Sequence, residues 1–340
     1  MTHDLQSVRR LAARLRENLA KCADDPDVDP VHDTRTGTRR LQATLEDLVR
    51  GVPEGEPVRE AATATMRLLK KIRHAAGPVR DLDVHRKLVE KLIRGALDPE
   101  NTKNDEEPQE ETAGAGGREV LETPELGLRM TGVEKQADDL DAWLKHRRSE
   151  LADGLREHAN HWVTKLDKRV EELEGALRAK GGRRPAKKPP GVVALDSFAR
   201  LATEMQLLDA ANLHDFRKGA KKARYVAELA AQGDAQAQQV GGTLKKLQDE
   251  IGDWHDWLVL ADEAHAALGD GAAELTELIE AERERHFVAA MKTAAKLRGR
   301  LMGEWLAVSG KSKRSAFRVQ RSGFGASGSA LQERPNDRSS

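Results

Sequence analysis

A single cysteine, Cys22, stands in the whole chain, so no intrachain disulfide can staple it, and that usage points to a reducing cytosol. Aromatic residues make up only 3% of the sequence, which leaves little material for a β-rich core. No apolar run approaches the length of a bilayer span, and the opening MTHDLQSVRR lacks the apolar centre of a secretory signal. The expectation is a soluble, cytoplasmic protein with no membrane partner. Also missing are a Gly-rich phosphate loop with its lysine and hydroxyl, a G-x-S-x-G elbow and a zincin helix. These gaps predict a chain that is not an enzyme, with no catalytic residues and no cofactor.

Charge is what the chain has in abundance, at 34% of its residues. The 57 basic and 57 acidic side chains cancel to a formal net charge of zero, but they are segregated. Residues 98–125 hold ten acids against two bases, and residues 178–190 hold six bases and no acid. Local fields therefore matter more than the isoelectric point. A composition of this kind fits long amphipathic helices.

The chain is organised around a repeat. VHDTRTGTRRLQATLEDL at 31–48 aligns without a gap with LHDFRKGAKKARYVAELA at 213–230. The copies share His32/His214, Asp33/Asp215, Arg35/Arg217, Gly37/Gly219 and the basic pairs Arg39-Arg40/Lys221-Lys222. At about 100° per residue, His32, Arg35 and Arg39 form one stripe with Arg40 at its margin, and Gly37, Leu41, Leu45 and Leu48 lie opposite. In the second copy His214, Arg217, Lys218, Lys221 and Arg224 make the stripe, and Gly219, Ala223, Ala227 and Ala230 make the back. A glycine on the packing face of both copies predicts close helix approach. Asp29 before Pro30 reads as an N-cap, and Asn212 can cap the second copy. Both histidines then fall in a first helical turn, where free N–H groups and the dipole favour an anion.

The repeat extends on both sides. Leu5, Val8, Ala12, Leu15 and Leu19 form a helical seam ahead of the first copy, matched by Leu195, Phe198, Ala202 and Met205 ahead of the second. Behind them, Leu69-Lys70-Lys71-Ile72, Gly77, Asp81 and Val84 correspond to Leu244-Lys245-Lys246-Leu247, Gly252, Asp256 and Val259 at a constant offset. Each glycine here reads as a break followed by a further helix. Residues 98–130 read as a disordered acidic insertion, 179–191 as a basic linker and 309–340 as a disordered basic tail. Between insertion and linker, a seam from Leu140 to Leu177 predicts one long helix, bent near Gly154. The first half is then 1–178 and the second 192–308.

H-D-x-R-x-G-x-R-R-L, G-P-V-R-D-L-D-V, L-H-D-F-R-K-G-A-K-K-A-R-Y and L-Q-D-E-I-G-D-W-H-D, in that order, resemble the signatures of the conserved-histidine α-helical domain, CHAD. The resemblance spans nearly everything up to about Ala307 except the insertion and the linker. It implies an all-α fold of two pseudo-symmetric antiparallel helical bundles with a basic cleft between them, binding inorganic polyphosphate without catalysis. Carried over by motif, the binding positions would be His32, Arg35, Arg39, Arg40, Lys70 and Arg80, with His214, Arg217, Lys218, Lys221, Arg224, Lys245 and His255 in the second half. The halves differ where Lys221-Lys222 replaces Arg39-Arg40 and His255 replaces Arg80.

Rival readings remain for these residues. A basic stripe on a single helix is ordinarily a solvated face. Phosphate contacts alone also support nonspecific nucleic-acid binding, although Tyr225 is the only aromatic beside a basic stripe. Asp81 and Asp256 read as a helix cap or as partners that orient a cation. His158 and His161, one turn apart, lack a third ligand for a metal, and none is expected. The tryptophans at 143, 162, 254, 257 and 305 fall mostly at core positions, and Glu280, Glu282 and Glu284 lie along a helical face.

Overall fold

Periodic apolar seams become helices throughout. A computed structural model of the chain describes residues 3–97, 124–179, 189–228 and 234–323. Among the described residues there are eight α-helices and no strand. They are α1 (His3–Asp24), α2 (Val28–Leu48), α3 (Pro57–Leu97), α4 (Pro124–Ala179), α5 (Pro190–Glu204), α6 (Leu213–Glu228), α7 (Ala235–Leu268) and α8 (Ala273–Gly323), with a short 3-10 turn at Gly269–Ala272. The all-α expectation is met.

Helices α1 to α4 close on one core, in which Leu15, Leu19, Leu41, Leu45, Leu69, Ile72, Leu155 and Leu166 are all fully buried. Helices α5 to α8 close on a second, built from Leu195, Phe198, Phe216, Leu244, Ile251, Trp254 and Leu301. The far ends of the long helices share a third core, where Leu82 and Val89 of α3 and Leu140 and Leu144 of α4 meet Trp257 and Leu260 of α7 and Leu275 and Ile279 of α8. That shared core fixes the bundles against each other. It also brings α2 to α6 and α3 to α7.

Both motif glycines on the packing faces do what their position predicts. A Cβ at Gly37 would meet Leu15 Cδ1 of α1 at 3.4 Å, and one at Gly219 would meet Leu201 Cδ1 of α5 at 2.5 Å. The basic helices are thereby pressed against the helix before them, with their cationic stripes turned away from it.

Several expected boundaries are corrected. Helix α3 runs unbroken for 41 residues through Gly77 and Pro78, and α7 for 34 residues through Gly252. A proline inside a helix costs about 3 kcal/mol. Burying Val79, Leu82 and Val89 just beyond it offsets that, at about 1.5–3 kcal/mol each. Asp81 and Asp256 are consequently mid-helix residues and not caps. Helix α2 starts two residues earlier than Asp29 implies, with the Asp27 carboxylate accepting from Val28 N–H at 2.7 Å. Asn212 does not cap α6 with its side chain; it closes the preceding loop by accepting from Asp209 N–H and donating to the Leu207 carbonyl. Helix α4 already starts at Pro124, so the end of the stretch assigned to the acidic insertion is helical; residues 98–123 lie outside the described residues. Similarly, α8 carries helical backbone to Gly323, into the stretch assigned to a disordered tail, and most of the linker, 180–188, lies outside the described residues.

Candidate anion-binding site

Where α2, α3, α6 and α7 approach one another, cations gather. Arg35 and Arg39 lie one turn apart on α2, Arg217, Lys221 and Arg224 lie along α6, and Arg73 enters from α3. Each is within electrostatic reach of others in the group. Four of them are held in place. Arg35 donates Nη1 to the Gly77 carbonyl at 3.3 Å and pairs with Asp81. Arg73 donates to Gln42 Oε1 at 2.7 Å. Arg217 donates Nε to the Gln248 carbonyl at 3.1 Å. Its guanidinium lies against Gly252 so closely that a Cβ there would collide with it. Arg224 sits 3.1 Å from Glu228 and 5.1 Å over the Tyr225 ring.

Arg39 and Lys221 differ from these, because among the described residues neither has a hydrogen bond or carboxylate partner. Burial pushes Arg39, Arg73 and Arg217 below the usual arginine value, and other guanidiniums add to the effect. They stay cationic, since arginine starts far above neutrality. Lys221 does not: burial first, then Arg39, Arg217, Arg35 and Arg224, bring its ammonium down to about 7. Like charges about 4–8 Å apart repel by about 2–4 kcal/mol per pair at an effective dielectric of about 20. A cluster that holds two such cations, Arg39 and Lys221, without a carboxylate partner among the described residues is poised for an anion. Polar atoms around it point the same way. Among the described residues, Arg35 Nε, the Tyr225 hydroxyl and His214 Nδ1 are buried with no hydrogen-bond partner.

The histidine expected on α6 has a partner that the sequence did not suggest. His214 and His255 of α7 pack ring on ring, with centroids 3.8 Å apart and planes tilted by 40°. Burial lowers both, His255 to about 4, with His214 and Arg217 contributing to the shift on His255. The His255 ring is therefore neutral at pH 7, and burial biases His214 the same way. Next to them, burial raises the Asp256 carboxyl, which Arg217 partly opposes. Across the halves, the buried His85 of α3 places Nδ1 2.6 Å from Glu263 of α7.

Of the residues singled out by sequence, the structure brings Arg35, Arg39, Arg217, Lys221 and Arg224 together, with His214 and His255 beside Arg217. Others go elsewhere. His32 is exposed and makes no hydrogen bond among the described residues, whereas His214 packs on His255. Arg40 lines a small cleft on the α1 side with Leu11, Arg14 and Asn18. Lys70 is exposed, while exposed Lys218 and Lys245 pair with Asp215 at 3.0 Å and Asp249 at 2.9 Å. Arg80 is half-buried, and its Nη1 has no partner. Arg73 and Tyr225 join the cluster without having been singled out for it. Asp83 was also missed: it is buried and ion-paired to Arg148 at 2.5 Å, beside the motif's other aspartate.

The remaining candidates have local roles. His158 spends Nδ1 on the Gly154 carbonyl at 2.9 Å and packs on Trp162. Among the described residues no group of three or more His, Cys, Asp or Glu could hold a metal ion. Nor is any helix there long and apolar enough to cross a membrane. A cavity of about 680 Å³ between α3 and α4 is lined by Glu90, Glu134, Asp138 and Asp141 along with Arg86 and Lys87, the wrong balance of charge for a polyanion.

Fold and site define an all-helical scaffold that carries a basic cluster between two bundles. The model of the CHAD domain family matches residues 6–265, and the chain belongs to that family. Its fold is similar to the crystal structure of the CHAD domain from the plant Ricinus communis, with a TM-score of 0.51 at 17% identity over 86% of this chain and 89% of that one. No protein of curated function matches the chain.

Proposed function

We propose that the protein binds inorganic polyphosphate, without catalysis, in the cluster formed by Arg35, Arg39, Arg73, Arg217, Lys221 and Arg224. CHAD domains are linked to this ligand, and the observation that carries the reading here is that Arg39 and Lys221 sit half-buried among cations with no acid of their own. Polyphosphate offers a charge at every phosphate and no base edges to read. Arginine grips it as a fork and lysine as a point charge. His214 and His255 flank this path. His32, Arg40, Lys70, Arg80, Lys218 and Lys245 serve as an outer rim that the chain can reach beyond the cluster. A cytoplasmic protein with this property would associate with polyphosphate granules.

Nucleic acid is the second reading, resting on the same phosphate contacts. What weighs against it is that Tyr225, the aromatic nearest the cluster, has Arg224 over its ring. A direct competition between long-chain polyphosphate and single- or double-stranded DNA of equal phosphate content distinguishes them. Polyphosphate should displace a labelled polyphosphate probe at least tenfold more effectively, and equal displacement would favour the nucleic-acid reading. Incubation with polyphosphate and Mg²⁺ or Mn²⁺ should release no phosphate over many turnover-equivalents, and sustained release would make the protein an enzyme.

Gly252→Ala tests how the cluster is built. Alanine within a helix gains about 0.5–1 kcal/mol over glycine, and the atoms it would strike belong to the mobile end of Arg217. Thermal stability should hold or rise while polyphosphate affinity drops several-fold, because Arg217 is pushed off the Gln248 carbonyl. A variant with unchanged affinity would place Arg217 outside the binding path.

A further inference from the structure

We propose that Lys221 is a site of acyl transfer from acyl phosphates, captured by the arginines around it, and that acylation there closes the cluster to polyanions. The proposal rests on the reading that these arginines hold phosphate groups. Its other support is the position of the amine, which is half-buried, has neither hydrogen bond nor ion pair among the described residues, and is surrounded by Arg35 and Arg39 from α2 and by Arg217 and Arg224 from its own helix. Arg73 of α3 in turn acts on Arg39. The nearby carboxylates are directed at other groups: Asp81 pairs with Arg35, Asp256 acts on Arg217, and Glu228 lies at Arg224.

An amine attacks a carbonyl carbon only through its lone pair, so a protonated lysine is inert. Ordinary lysines are almost wholly protonated at pH 7. Lys221, which titrates at about 7, is roughly half neutral there. The exposed lysines nearby are held differently, since Lys218 and Lys245 are each in an ion pair with a carboxylate. Guanidiniums that suit a phosphate chain also suit the phosphate of an acyl phosphate, and holding it places the carbonyl near the amine. In the reaction the Nζ–C bond forms, the bond from the acyl carbon to the phosphate oxygen breaks, inorganic phosphate leaves with that electron pair, and the amine proton passes to solvent or phosphate. The product is a neutral amide, which can no longer become an ammonium when a polyanion arrives. One cation disappears from the heart of the site.

The test uses the full-length protein and acetyl phosphate, with acetylation rates read at each lysine by peptide mass spectrometry between pH 6 and 9. Lys221 should react at least tenfold faster than Lys218 or Lys222 at pH 7, and its own rate should level off above about pH 7.5. Tripolyphosphate should protect Lys221 alone. Arg39→Gln should slow Lys221 at pH 7 and move its plateau to higher pH. A neutral acetyl ester should show a smaller preference for Lys221, because it carries no phosphate for the arginines to hold. Reaction at Lys221 no faster than at Lys222, or an equal preference with the neutral ester, overturns the proposal. The two readings fail separately: polyphosphate binding without selective acetylation sinks this one alone, whereas selective, tripolyphosphate-insensitive acetylation sinks the capture step and the polyphosphate site together.

Discussion

Polyphosphate affinity should fall by up to tenfold per pH unit between about pH 7 and 9, and Lys221→Arg should remove that slope. In the free protein Lys221 titrates near 7, because burial and the surrounding guanidiniums disfavour its charged form. A bound polyanion reverses the local field and raises that value. Below pH 7 the amine is protonated with or without ligand, so no proton is exchanged there. Above pH 7 the free amine is neutral and the bound one is charged, so binding takes up as much as one proton and weakens as pH rises. Arginine at this position is charged throughout and exchanges none. Calorimetry at pH 8 in two buffers of different ionisation enthalpy measures the uptake directly. It should approach one proton for the wild type and be lost in the variant, and a wild-type affinity that is flat from pH 7 to 9 would remove Lys221 from the ligand's path.

The repeat puts His32 and His214 at equivalent positions, as binding residues of the two halves. His32 is exposed, and His214 is lowered by burial against His255. Burial lowers His214 and His255, so their contribution lies in more acid conditions, where a nearby polyanion would raise both and strengthen binding as pH falls. The difference between the two histidines has a physical cause. Alignment makes His32 and His214 equivalent, but the ring that covers His214 comes from His255, and the matching residue in the first half is Arg80. A one-dimensional repeat carries no record of which side chains meet across it.

Arg73 was illegible for the same reason. At the offset that pairs Lys70 with Lys245, it corresponds to Gln248, so the duplicated charge drew attention to the lysines instead. Those lysines are exposed on the outer side of α3 and α7, and Arg73 turns inward toward Gln42. What periodicity did reveal is the pair of stripes on α2 and α6, since a helix that buries one face must present the other. The Gly77-Pro78 break was read too literally, because the local cost of proline is visible in sequence and the burial of Leu82 and Val89 in a core shared with α7 and α8 is not. The link between His85 and Glu263 lies further still from any local pattern, joining residues 178 apart.

Charge reversal at Arg39 should separate binding from stability in opposite directions. In the free protein Arg39 is half-buried beside Arg35, Arg73 and Arg217, with no acid in contact, and it in turn acts on Lys221. Glutamate there replaces several repulsions with attractions, so Arg39→Glu should raise the melting temperature, by about 2–4 °C for each 1 kcal/mol recovered in a domain of this general size. The same change puts a negative charge where a phosphate would lie. Polyphosphate affinity should fall by roughly 100-fold, about 3 kcal/mol, and the slope of log affinity against log salt should become shallower by about one to two. Lys221→Glu should behave likewise. Lys168→Glu, on an exposed position of α4 away from the cluster, should change neither melting temperature nor affinity by much more than error. An ordinary solvated basic face makes a different prediction, because exposed charges are each worth little and reversing one would move binding and stability only slightly. Gains in stability that accompany losses in binding identify residues held in place for a ligand at the expense of the fold. If Arg39→Glu instead melts early and binds as the wild type does, the cluster stabilises the contact between α2 and α6 and is not a polyphosphate site.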